Sequence, residues 1–180
     1  MVTESLWFPD NSTLCNFAVV GQLRLLERVL RDRGRWSSAV AYEVRKSVGH
    51  IASLGAIVTE NWLGEPVEIP SNQAAAVERV RIAAFGGTPD RPLKHLGEAE
   101  TLHLLCEKAE YSSSAWITDD RAAYEFAKSK GVITRSTRDL VEFLLSESEL
   151  TSEDGYLLLC EIEDAGRYVH RMPASARELT

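Results

Sequence analysis

Short apolar runs that stop at acidic or hydroxyl residues, each followed by a stretch of helical periodicity, recur along the 180 residues of this chain. The first is Leu6 to Phe8, broken by Pro9, after which Asp10, Asn11, Ser12 and Thr13 precede Leu14, Cys15, Phe17 and Ala18. The pattern predicts a strand over 6–8 and a helix capped by Ser12, since a hydroxyl accepts a hydrogen bond from the first free amides of a helix. In "GQLRLLERVLRDRG", Leu23, Leu26, Val29 and Leu30 share one helical face and Gly34 supplies a stop. "RWSSAVAYEVRKSVGHIASLG" reads as a brief strand over 36–40 running into a helix that carries Glu43.

Beyond the extended piece "GEPVEIPS", the run "SNQAAAVERVRIAAFGG" predicts a helix with Ser71 as cap and Gly86-Gly87 as stop. "EAETLHLLCEKAE" predicts another, with Glu98 and Glu100 in its first turn. "SAWITDDRAAYEFAKSKGVITRSTRDLVEFLLSE" then reads strand, helix, strand, helix, with Asp119 and Asp120 at the first corner. Such alternation predicts a layered α/β fold around a mostly parallel sheet. "TSEDGYLLLCEIEDAGRYV" reads as a helix, or one interrupted at Gly155, and the tail after it as loosely held.

Composition narrows the picture. Hydrophobic residues make up 44% of the chain, enough for one substantial core. A formal net charge of -7 argues against a broad basic face for nucleic acid, so a polyanionic substrate needs local cations or metal ions. Cys15, Cys106 and Cys160 are odd in number and far apart, which supports neither a disulfide framework nor a Cys-x-x-Cys metal site. They read as buried thiols of a reducing compartment, and the lack of any leader or long apolar run predicts a cytoplasmic protein without a membrane partner. Between 142 and 164 lie eight acidic residues and no Lys or Arg, whereas Arg167, His170, Arg171 and Arg177 follow. That acidic stretch repels phosphate and is a better surface for a protein partner.

The acids matter through their position. In an open parallel sheet, ligands collect at the carboxyl ends of strands. Asp10 and Asp119-Asp120 each follow a predicted strand, Glu43 lies just past another, and Glu98 opens the helix that leads to the "AWIT" strand. Four carboxylates converging on one cleft repel one another unless cations sit among them. Mg²⁺ or Mn²⁺, which prefer oxygen ligands and accept phosphate oxygens, are the simplest answer, and their chemistry suits phosphodiester hydrolysis.

These residues resemble a known family. "FPDNSTLCNF" is similar to the opening motif of PIN-domain ribonucleases, "AVAYEVRK" to their second motif, "LGEAETLHLL" to a Gly-Glu-Ala-Glu form of the third, and "WITDDRAAYEFAKSKGV" to the fourth, Thr-x-Asp. The resemblance runs in order over about residues 5–145. It implies a three-layer α/β/α sandwich with a central mostly parallel sheet over 1–145; residues 146–180 run beyond that family's compact domain and read as a C-terminal helical extension and tail packed on the same domain. It also implies a Mg²⁺- or Mn²⁺-dependent endoribonuclease, as the toxin of a toxin–antitoxin pair, homodimeric and blocked by a cognate antitoxin. Carried over, Asp10, Glu43, Glu98 and Asp120 take the four acidic positions, with Asp10, Glu98, Asp120 and Asp119 as the metal set and Asp120 preferred to Asp119 as the fourth acid. Ser12, Asn16, Thr118 and Asp119 support them.

Other readings compete. Each acid alone serves equally well as a helix cap or surface charge, and a PIN-like domain that has lost turnover would act as an RNA-binding or protein-binding module. A haloacid-dehalogenase-like phosphatase requires a second Asp two positions after the first, where this chain has Ser12. Arg91, Lys94 and Arg121 flank the third and fourth motifs and are candidate phosphate contacts. No histidine is assigned a catalytic role; His103 and the four tryptophans read as core.

Overall fold

Successive side chains of a strand face opposite sides of its sheet, and in this computed structural model, which describes residues 5–179, the first two strands are buried on both sides. β1 (Trp7–Pro9), β2 (Ala115–Ile117) and β3 (Ile133–Arg135) form a parallel sheet in that order, with Phe8 opposite Trp116 and Trp116 opposite Thr134. Trp7, Ala115 and Ile117 enter one core, and Phe8 and Trp116 enter the other.

Nine α-helices among the described residues cover the two faces. Helices α1 (Asn11–Val19), α2 (Leu23–Leu30), α3 (Ser38–Ser47), α8 (Thr137–Ser146) and α9 (Ser152–Asp164) contribute Phe17, Leu26, Val44, Leu144 and Ile162 to the first core. Ile57 of the short α4 (Gly55–Glu60) joins them. Helices α6 (Leu96–Glu107) and α7 (Arg121–Ser129) supply Leu102, Leu105 and Ala127 to the second, flanked by Val80 and Phe85 of α5 (Ala74–Phe85). Each fully buried Leu or Phe contributes about 1.5–3 kcal/mol through removal of apolar surface from water. The described chain is therefore an α/β fold with helices on each face of a parallel sheet.

Several expectations shift. The first strand lies one residue later than 6–8, and the cap of α1 is Asp10 rather than Ser12: Asp10 accepts from the Thr13 amide. The strand expected over 36–40 does not form. Arg33 and Arg35 bond the backbone of Trp7, and pairing ends there, because the next group on that side of β1 is Pro9, which has no N–H. Ser37 then bridges to Val67 and caps α3 by accepting from the Val40 amide.

Helix α9 is not interrupted at Gly155. A Cβ there would stand 2.8 Å from Val141 Cγ1 and 2.9 Å from Leu145 Cδ1, so the missing side chain lets α9 seat on α8. Nor is the tail loose: Val169, His170, Pro173 and Leu179 are buried, and the Arg138 guanidinium donates to the carbonyls of Arg171 and Glu178 at 3.0 and 2.7 Å. Of the three thiols only Cys15 is buried; Cys160 is half-buried and Cys106 exposed, because they lie towards the outer sides of α9 and α6. His103 and Trp7, Trp36 and Trp116 are buried, and Trp62 is partly so.

Candidate functional site

Adjacent parallel strands end on the same edge of a sheet, so the residues that follow β1 and β2 are brought side by side. The Asp10 amide donates to the Ile117 carbonyl at 2.9 Å, which couples the two strand ends directly. Asp10 Oδ1 accepts from the Thr13 amide at 2.8 Å and from the Ser12 hydroxyl at 2.7 Å, and the Thr118 side chain also hydrogen-bonds this carboxyl. Burial nevertheless pushes the Asp10 pKa above its usual range, since these bonds only partly offset the lost hydration. Asp120 caps α7, with Oδ1 accepting from the Ala123 amide at 2.8 Å, and its own amide donates to Thr118 Oγ1 at 3.1 Å.

Glu43 and Glu98 reach the same place from α3 and α6. The Glu43 carboxyl lies against the first turn of α6, where it accepts from the Gly97 amide. Gly97 is needed for that approach: a Cβ there would stand 3.1 and 3.2 Å from the two Glu43 oxygens. Burial first, then the charges of Glu98 and Asp10, push the Glu43 pKa up to about 8. Glu98 itself is 3.0 Å from Nδ1 of His95, a residue with φ of 63° at the start of α6.

All four acids line a single cavity of about 230 Å³, together with Asn11, Ser12, Val40, Gly97 and Arg167. Three helix starts, those of α1, α6 and α7, face carboxylates of this cleft, so their partial positive charges lower the cost of holding the acids together. Among the described residues, no group of three or more His, Cys, Asp and Glu side chains stands close enough to hold a metal ion by itself.

Asp119 takes a different position from the one expected of a metal ligand. It is absent from the cavity lining and 2% exposed, and its oxygens accept from the Thr137 amide and hydroxyl, the Asn16 Nδ2 at 3.2 Å and the His170 amide at 3.0 Å. Burial raises its pKa to about 6 against those bonds. Asp119 thus ties β2 to α1, α8 and the C-terminal segment. Glu100 is likewise turned to another task, accepting from the Ala39 amide at 2.8 Å at the start of α3.

The basic candidates divide. Lys94 lines a neighbouring groove of about 600 Å³ with Tyr42, Lys46 and Leu93, and that groove shares Glu43 with the acid cleft. Arg91 and Arg121 are exposed and line neither space. Arg91 offers its carbonyl, with those of Thr88 and Lys94, to the buried Arg81 guanidinium, which shapes the loop leading into α6. Arg167 is the functional candidate that sequence reading missed. The only hint was the change from acidic to basic charge after 164, which does not say which arginine turns inward.

No protein-family model matches the chain, and no curated protein and no solved structure matches it either.

Proposed function

We propose that the chain is a PIN-like, Mg²⁺- or Mn²⁺-dependent ribonuclease whose acids are Asp10, Glu43, Glu98 and Asp120. The observation that carries this reading is their common cavity: four carboxylates from four separate elements line it, and their mutual repulsion helps hold the Glu43 proton up to about 8. The parallel strands they follow already bring the caps Asp10 and Asp120 together, but Glu43 and Glu98 cap no helix and reach the same cavity from α3 and α6, which a cation site accounts for.

The donor set fits a hard divalent ion in chemistry. Mg²⁺ commonly takes one or two carboxylates, keeps several waters and uses substrate phosphate oxygens, so a closed three-ligand group is not required. Asp10, Glu43, Glu98 and Asp120 would hold the ion, directly or through water. When bound, it would lower the pKa of water and neutralise charge developing on the phosphodiester. The chain's own residues set the geometry. Ser12 and Thr118 fix Asp10, the Gly97 amide fixes Glu43, and the Ala123 amide fixes Asp120 through one oxygen only.

The decisive variant is Asp10→Asn, because Asn caps a helix as well as Asp does. Incubation of wild type and variant with a mixed RNA pool and Mn²⁺ is expected to show cleavage by wild type and a loss of at least about 100-fold in the variant. Equal cleavage would sink the assignment. As the toxin of a toxin–antitoxin pair, the chain is proposed to form a homodimer and to be silenced by an antitoxin that fills the cleft. Light scattering, and isolation with the product of an adjacent small gene, test those two points.

A second reading rests on the same atoms. Asp10 and Asp120 both cap helices and no three-ligand group forms among the described residues, which favours a PIN-like module that binds RNA or protein without turnover. Mn²⁺ binding by calorimetry without cleavage of any RNA in the pool would select it.

A further inference from the structure

Arg167 stands among the four carboxylates, yet it pairs with none of them. It lines the acid cavity, and no carboxylate among the described residues lies within ion-pair distance of its guanidinium. Its Nε–H donates to Asn16 Oδ1 at 3.0 Å, and Nη2 donates to the Ser12 carbonyl at 3.3 Å. Nη1 has no hydrogen-bond partner among the described residues.

The anchor is rigid. Asn16 is 1% exposed, and the two N–H groups of its Nδ2 are shared among Asp119 Oδ2, Thr137 Oγ1 and the Tyr168 carbonyl, each at 3.2 Å. Those three acceptors fix which end of the amide is oxygen, and that oxygen holds the arginine. A buried polar chain therefore runs from the end of β2 through α1 to a cation presented in the cleft, and the cation comes from the segment after α9.

Two simpler roles fail to account for it. An ion pair with one acid is not formed among the described residues, so no carboxylate occupies the guanidinium even though its charge acts on all of them through space. Pinning the C-terminal segment to α1 requires a donor to Asn16 and Ser12, which a neutral side chain also provides. A guanidinium held by two of its nitrogens and open at the third is instead suited to a tetrahedral oxyanion, for which a planar fork of N–H groups is well matched. In an acidic cleft the phosphate also needs a fixed cation of the protein's own.

We propose that Arg167 is the phosphate-binding residue of the cleft, taking the phosphodiester of a single-stranded RNA through Nη1. The residues after α9 are then part of the site and not an appendage to it. This proposal rests on the ribonuclease reading for the identity of the phosphate.

The test uses full-length Asp10→Asn protein with Mn²⁺, a fluorescent single-stranded RNA, and the same protein carrying Arg167→Gln or Arg167→Lys. Gln keeps a donor for Asn16 without the charge, and melting temperatures verify that each variant folds. Arg167→Gln is expected to bind about 10- to 100-fold more weakly and to reduce the slope of log K against log salt by about 0.7, one phosphate contact on a single strand. Arg167→Lys is expected to recover the slope. Methylguanidinium is expected to restore binding to Arg167→Ala, which loss of a purely structural pin would not permit. Unchanged affinity and slope in Arg167→Gln overturn the proposal. If wild type cleaves RNA and Arg167→Gln does so equally, the ribonuclease reading stands and this one falls. If Arg167→Gln loses the slope while wild type never cleaves, the phosphate contact stands and the ribonuclease reading falls.

Discussion

Asp119 and Asp120 adjoin in the chain, but Asp119 is sealed beneath Thr137, Asn16 and the His170 amide while Asp120 caps α7 at the edge of the cavity. Different outcomes follow for the two. Asp119→Ala removes the acceptor of four buried donors, the Thr137 amide and hydroxyl, the Asn16 amide and the His170 amide, and is expected to cost about 2–4 kcal/mol in chemical denaturation. Asp120→Asn retains the cap and is expected to stay within about 0.5 kcal/mol of wild type while losing the proposed cleavage. Glu43 provides the converse case. Its folded pKa of about 8 lies above the ordinary value, so its contribution to stability is full below the unfolded pKa of 4.5 and is lost as pH rises towards 8. Glu43→Gln, which removes that charge, is expected to raise the melting temperature by a few degrees at pH 8 without divalent ions. An unchanged or lower midpoint would count against the repulsion described in the cleft.

Two glycines govern how elements meet. Gly97 opens the first turn of α6 to the Glu43 carboxyl, and Gly155 lets α9 close on α8. Gly97→Ala places a methyl at 3.1–3.2 Å from both Glu43 oxygens, while Ala is the better helix former, by less than the ~1 kcal/mol of a helix interior because Gly97 lies in the first turn of α6. Near-wild-type stability with impaired Mn²⁺ binding by calorimetry is the expected pair of results. Gly155→Leu has no such compensation: its Cβ already meets Val141 and Leu145 below 3.0 Å, and overpacking of this kind costs about 1–3 kcal/mol, readable as an earlier urea midpoint.

Across the whole molecule, the buried acids and the C-terminal segment set conditions for folding together. Asp10, Glu43 and Asp119 all have raised pKa values and favour lower pH, while burial lowers that of His170, whose contribution is kept above 6.5 and lost as pH falls below it. Melting without divalent ions is therefore expected to be highest on the acid side of neutrality. Mn²⁺ is expected to raise the midpoint more at pH 8 than at pH 5.5, where protons compete for the same carboxylates. Equal shifts at both pH values would place the ion elsewhere. Removing residues 152–179 is a poor test of an assembly role for the acidic stretch, because Leu158, Leu159, Ile162, Val169 and Leu179 belong to the core that holds β1. Charge reversal of the exposed Glu153 and Glu161 leaves that core intact and probes the outer face by light scattering.

The alternation of apolar runs with helical periods was enough to define an α/β fold, because burial patterns are local and repeat every two or 3.6 residues. Asp10, Glu98 and Asp120 were legible as candidates, since a residue that ends a strand or opens a helix is marked by the change of period around it; Glu43 was singled out beside a strand that does not form and lies in the middle of α3. The sequence alone could not exclude a strand before α3, because its absence depends on Pro9 lacking an N–H on the side where that strand would pair. Nor could it separate Asp119 from Asp120, whose identical side chains are distinguished by Thr137, Asn16 and His170 arriving from distant parts of the chain. Arg167 is the extreme case: its chemistry is local, but its place in the cleft depends on the docking of α9 and the buried Asn16, contacts that exist only once the chain has folded.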